Sequence, residues 1–122
     1  MILVDTSVWI DHFRRPDASL VHLLDAGLVL CHPFVIGELA CGNLRERSRI
    51  LDALGSLASA PVAAHHEAVL FLDRHALAGR GIGWLDVHLL ASTALAADAR
   101  LWTRDTRLAS VAADLRMAYN PA

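Results

Sequence analysis

A chain of 122 residues, 55% hydrophobic and 20% charged, has the size and composition of one folded domain, 1–122, and not of a disordered segment. Its formal charge of −2 creates no global field to draw in nucleic acid, so any RNA must be met by local arginines and bound cations. All 11 basic residues are arginine, and the lack of lysine excludes P-loop, Schiff-base and receiver-type phosphoacceptor chemistry. No apolar run reaches the roughly 20 residues of a membrane helix. The first strand follows Met1 with no basic leader, which argues against a secretory signal. Two cysteines, Cys31 and Cys41, make no disulfide framework. The expectation is a cytoplasmic protein with reduced thiols and no membrane association.

In chain order, Ile2-Leu3-Val4 reads as a strand buried on both faces, and it runs into Asp5-Thr6-Ser7. Residues 7–14 fit a helix, 14–17 a break, and 18–26 a second helix stopped by Gly27. Residues 28–31 form a short strand, and Pro33 opens a helix over 34–41. Residues 44–57 read as an arginine-rich amphipathic helix that places Arg45 and Arg49 on one face. A short strand is expected over 59–63 and a long helix over 65–78, followed by a flexible loop at 79–83. A very apolar helix starts at Leu85 or Asp86 and runs to about Ala97. A strand at 100–103, a helix at 106–115 and a last short strand at 116–119 complete the chain. Alternating strands and helices imply an α/β fold with a mostly parallel sheet covered on both faces.

Four acids stand in unexpected company. Asp5 follows an apolar strand and lies where open α/β sheets form their sites, beyond a strand's carboxyl end. Glu38 is the only charge between Pro33 and Gly42, in a helix apolar nearly all round, so it is expected to be buried and to need a cation, donor or proton. Asp86 is the only charge between Gly81 and Ala97. Asp105 follows a strand and begins a helix. Asp86 and Asp105 also suit helix N-caps, and Glu38 an ion pair with a buried arginine. If the four converge, they repel one another unless a divalent cation neutralises them. Oxygen-only ligands select a hard cation, Mg²⁺ or Mn²⁺, which suits phosphodiester hydrolysis.

These residues carry a family resemblance. Asp5-Thr6-Ser7 after the first strand, Glu38-Leu39 in the third helix, Asp86 followed by Leu89-Leu90-Ala91, and Thr103-Arg104-Asp105 resemble the PIN domain. The closest likeness is to VapC-type toxins of type II toxin–antitoxin modules, over nearly the whole chain. The resemblance implies a three-layer α/β/α fold and a Mg²⁺- or Mn²⁺-dependent endoribonuclease. It also implies a homodimer held by a cognate VapB-type antitoxin. Carried over by position, Asp5, Glu38, Asp86 and Asp105 are the catalytic, metal-holding acids. Thr6, Ser7 and Thr103 would be the hydroxyls that fix carboxylate rotamers. Many relatives carry an aromatic and a further acid just after the fourth acid, where Thr106-Arg107-Leu108 stands here, which weighs against a second metal site.

Arg45, Arg49, Arg104 and Arg107 are candidate RNA phosphate contacts, each with solvated surface charge as the plainer alternative. Cys31-His32 with Cys41 matches no structural zinc spacing. His88, two residues past Asp86, faces away from it on the helix. The competing readings are a non-catalytic PIN-like binding module and a phosphotransfer enzyme with Asp5 as nucleophile; the missing lysine disfavours the latter.

Overall fold

The computed structural model describes residues 1–121. The elements run β1 (Ile2–Val4), α1 (Thr6–Arg14), α2 (Ala18–Asp25), β2 (Val29–Cys31), α3 (Pro33–Ala40) and α4 (Arg47–Gly55). They continue with β3 (Ala58–Ser59), α5 (His65–Arg74), α6 (Trp84–Leu95), β4 (Arg100–Trp102) and α7 (Thr106–Asp114). The sheet order is β3-β2-β1-β4 and every pairing is parallel, so each strand is reached through a helical crossover. The α/β class and the parallel sheet expected from the sequence are both present.

The most apolar strand occupies the middle of the sheet. Leu3 and Val4 of β1 are fully buried, and β1 is paired on one side with β2 and on the other with β4. One continuous core joins these strands to Val8 and Trp9 of α1, Val35 and Leu39 of α3, Leu89 and Leu90 of α6, and Leu108 and Val111 of α7. Each such side chain contributes on the order of 2 kcal/mol through burial. Seven consecutive residues of α6, Val87 to Thr93, are buried, which explains why its sequence shows no polar face. Its two hydroxyls are satisfied: Thr93 donates to the Leu89 carbonyl at 2.7 Å, and Ser92 meets His32 Nε2 at 3.1 Å.

Several boundaries differ from the sequence reading, each for a local reason. The arginine-rich helix begins at Arg47, because Glu46 takes a left-handed conformation (φ 51°, ψ 45°) that breaks continuity with Leu44. Arg45 therefore lies in a loop and shares no helical face with Arg49. The strand expected over 59–63 is Ala58–Ser59, with Pro61 unable to extend the ladder. Helix α5 stops at Arg74, short of residue 78, and Ala76 is left-handed at φ 51°. The strand expected at 116–119 reduces to one bridge, Leu101 to Ala118.

Candidate active site

Parallel order brings the carboxyl ends of β1 and β4 together, and with them Asp5 and Thr103. Asp5 is 6% exposed and its N–H donates to the Trp102 carbonyl at 2.9 Å. It occupies the N-cap position of α1, yet its carboxylate caps no helix N–H. Instead Oδ2 accepts from Thr103 Oγ1 at 2.7 Å and from Ser7 Oγ at 2.9 Å. The same hydroxyls are themselves held. Asp105 N–H donates to Thr103 Oγ1 at 3.1 Å, and Arg104 N–H to Ser7 Oγ at 3.0 Å. Thr6 reaches across to α3 and donates to Glu38 Oε1 at 3.3 Å. All three hydroxyls singled out in the sequence thus hold carboxylates.

Asp105 caps α7 as the sequence allows, but Asp86 is not an N-cap: α6 begins at Trp84 with Gly83 in the cap position, and Asp86, third in the helix, reaches back to it. Asp86 Oδ2 accepts from Gly83 N–H at 3.1 Å, and Asp105 Oδ1 accepts from Leu108 N–H at 2.9 Å. Each contact uses one oxygen only. In all four acids the second oxygen (Asp5 Oδ1, Glu38 Oε2, Asp86 Oδ1, Asp105 Oδ2) has no hydrogen-bond partner among the described residues.

Glu38 is exposed, a correction to the buried position expected from its apolar helix: α3 turns Val35 and Leu39 inward and leaves the Glu38 face open. No arginine pairs with it among the described residues. Its proton affinity is raised above the ordinary value, chiefly by partial desolvation, against the Thr6 hydroxyl and with the charges of Asp5 and Asp86 adding. Asp86 is raised by desolvation first, then by Asp5 and Asp105, with the Gly83 N–H opposing. The four acids therefore share one electrostatic field. Among the described residues no three His, Cys, Asp or Glu side chains already form an ion-binding group.

The donor set nevertheless fits a hard divalent cation, with carboxylate oxygens that are uncommitted and mutually repelling. Zinc finds nothing comparable. The Cys31 thiol is buried and pushed up to about 11, while Cys41 is exposed. His32 accepts from Phe34 N–H at Nδ1, at 3.0 Å, so its remaining proton sits on Nε2 and faces Ser92.

The candidate arginines separate. Arg104 is committed within the protein: Nη1 donates to Asp11 at 2.7 Å, Nη2 donates to Asp17, and the guanidinium lies 5.9 Å from the Trp102 ring centre. It is a clasp between β4, α1 and the Asp17 cap of α2 and not a free phosphate contact, a role the sequence did not disclose. Arg49 pairs with Glu46 at 3.1 Å on the surface. Arg45 lines a groove of about 780 Å³ that also touches Arg14, Phe13, Glu38 and Ile50. Arg107 lies against Gly81, where an added Cβ would stand 2.8 Å from Arg107 Cδ. His88 turns from the acids as expected and packs edge-to-face between Phe34 and Trp84.

The fold belongs to a known class: the PIN domain family matches residues 2–114, and the chain belongs to it. The chain is 50% identical over 118 residues to Ribonuclease VapC32 of Mycobacterium tuberculosis strain CDC 1551 / Oshkosh, covering 97% of this chain and 95% of that protein. The same values hold for Ribonuclease VapC32 of strain ATCC 25618 / H37Rv. The crystal structure of FitAcB from Neisseria gonorrhoeae has a TM-score of 0.66 at 21% identity, covering 99% of this chain and 98% of that one. FitAB bound to an IR36 DNA fragment has a TM-score of 0.59 at 16% identity, covering 93% and 91%. These two solved structures share the fold. No helix among the described residues is long and apolar enough to cross a membrane.

Proposed function

We propose that this protein is a VapC-type toxin: a single-domain, Mg²⁺- or Mn²⁺-dependent endoribonuclease. It acts as a cytoplasmic homodimer and is restrained by a VapB-type antitoxin. The family membership and the full-length likeness to a named ribonuclease support this reading. The observation that carries it is the common field of Asp5, Glu38, Asp86 and Asp105, each with one oxygen anchored and one uncommitted.

The uncommitted oxygens of these four acids would hold the cation. When bound, Mg²⁺ or Mn²⁺ supplies charge neutralisation at the scissile phosphate and a more acidic water. Thr103 and Ser7 fix the Asp5 carboxylate in one rotamer, so its free oxygen is preorganised. Thr6 does the same for Glu38. Arg45 and Arg107, which make no ion pair among the described residues, are left to meet RNA phosphates as guanidinium forks.

Purified protein incubated with total cellular RNA should cleave it with Mg²⁺ or Mn²⁺ and not with EDTA. Asp86→Asn keeps the Gly83 cap acceptor and should fold but not cleave. The second reading, a non-catalytic binding module, is favoured by the lack of a ready ion-binding group. It requires that no RNA be cut under any of these conditions.

A further inference from the structure

We propose that Asp11 and Asp17 hold the Arg104 guanidinium out of the acidic site, so that the four acids stay open to a divalent cation. The inference rests on the metal-dependent reading above and adds two positioning residues outside the acidic cluster.

Arg104 stands between Thr103 and Asp105, and its N–H is two hydrogen bonds from Asp5: 3.0 Å to Ser7 Oγ, and 2.9 Å from there to Asp5 Oδ2. The Asp5 carboxylate thus lies within the span of the Arg104 side chain. Four carboxylates, each with one oxygen unpaired, attract a guanidinium strongly, because its flat fork suits carboxylate geometry. The field at Glu38 and Asp86 is uncompensated: desolvation first, then the neighbouring acids, raises both above their ordinary values. Yet no arginine pairs with any of the four acids among the described residues. Arg104 is turned the other way, with Nη1 donating to Asp11 Oδ2 at 2.7 Å and Nη2 to Asp17 Oδ2.

The two anchors are placed for this. The Asp17 N–H donates to His12 Nδ1 at 3.0 Å and its Oδ1 accepts from Leu20 N–H at 3.0 Å, which leaves Oδ2 for Arg104. The Leu20 N–H, ahead of Arg104, holds the Asp17 carboxyl below its ordinary range against partial desolvation, so the anchor keeps its charge. The Asp11 side chain makes no other hydrogen bond among the described residues. An arginine released from both enters the field of the acids and neutralises there what the cation must neutralise. The metal then has to displace it.

The test titrates Mn²⁺ into metal-free protein by calorimetry, with urea midpoints of every variant measured beside it. Asp11→Asn/Asp17→Asn keeps the side-chain shapes and the acceptor for Leu20 N–H but removes both charges. It should bind Mn²⁺ about fivefold more weakly than the wild type. Adding Arg104→Ala to that pair should return the affinity to that of Arg104→Ala alone. Adding Arg100→Ala instead, the same change of charge at the opposite end of β4, should restore nothing. Asp11→Asn alone should show a smaller loss in the same direction, and it serves where the pair fails to fold. Wild-type Mn²⁺ affinity in the variants lacking these charges overturns the proposal. So does a loss that Arg104→Ala fails to reverse, since the acids then act only through the fold, or one that Arg100→Ala reverses equally, since net charge then explains it. In each of these cases wild-type protein that still cleaves RNA with Mn²⁺ leaves the ribonuclease reading standing. Wild-type protein that binds no Mn²⁺ and cleaves no RNA sinks both.

Discussion

Thr103 Oγ1 donates to Asp5 Oδ2 at 2.7 Å, joining residues 98 positions apart at the ends of two adjacent parallel strands. Ser7 donates to the same oxygen. A hydrogen bond to a charged group contributes roughly 1.5–3 kcal/mol. Thr103→Val should therefore lower metal-dependent cleavage about tenfold to a hundredfold. Ser7→Ala should do less, since Thr103 remains. The double variant should lose more than the sum of the two, because each hydroxyl partly backs up the other on one carboxylate. Steady-state cleavage of the four proteins in one buffer measures this.

The acids should destabilise the metal-free fold. Glu38 and Asp86 hold a proton more tightly when folded than in the free chain. Their contribution to stability is thus present below the ordinary carboxylate range and lost as pH rises through the raised values. Glu38→Gln and Asp86→Asn should raise the melting temperature in EDTA at neutral pH and leave it unchanged near pH 3. Added Mg²⁺ should stabilise the wild type and reverse the order. Thermal melts with and without Mg²⁺ read both effects.

His32 runs the other way. Burial, aided by the nearby His88 charge, lowers it from 6.5 to about 4. The unfolded chain takes up a proton near 6.5 while the folded protein does not. Stability is then complete above that pH and falls as pH drops through about 4, by up to roughly 3 kcal/mol. Urea unfolding between pH 7 and pH 4 should show this slope, and His32→Gln should flatten it.

Much of the site was legible because its signals are local. The apolar run before Asp5, the lone charge of Glu38 and the lone charge of Asp86 each stand out within a dozen residues. The exposure of Glu38 was not legible. An eight-residue helix of apolar composition can still leave one face open, and only its neighbours decide which. Nor was the role of Arg104. Its partners Asp11 and Asp17 are 93 and 87 positions away, and no periodicity links them to it. The true start of α4 turned on a single left-handed residue, Glu46, of a type not usually found there.

Arg104 should be hard to replace. Its guanidinium spans two carboxylates on different helices, a geometry a lysine ammonium cannot reproduce. These groups are partly exposed, so the loss of stability should be modest, about 1 kcal/mol. Arg104→Lys and Arg104→Ala should be alike in urea midpoint, and both should reduce cleavage by loosening Ser7 against Asp5. Arg107→Ala should leave the urea midpoint unchanged.

Gly81→Ala separates two effects at the loop before α6. Gly81 has φ +81°, and an added Cβ would meet Arg107 Cδ at 2.8 Å. The arginine can swing aside, but the backbone cannot, so a loss of about 1 kcal/mol should persist in Gly81→Ala/Arg107→Ala. Denaturation of the two variants and their double compares these.

The brevity of β3 has a consequence for behaviour at high concentration. One margin of the sheet is only Ala58–Ser59, and the opposite margin, β4, is touched by the Leu101–Ala118 bridge. Neither side offers a long row of vacant amides and carbonyls on which a foreign chain could lay down a further strand. A protein with so apolar a composition is thereby protected from fibrillar growth by its geometry, with no help from the surface lysines that usually guard such margins.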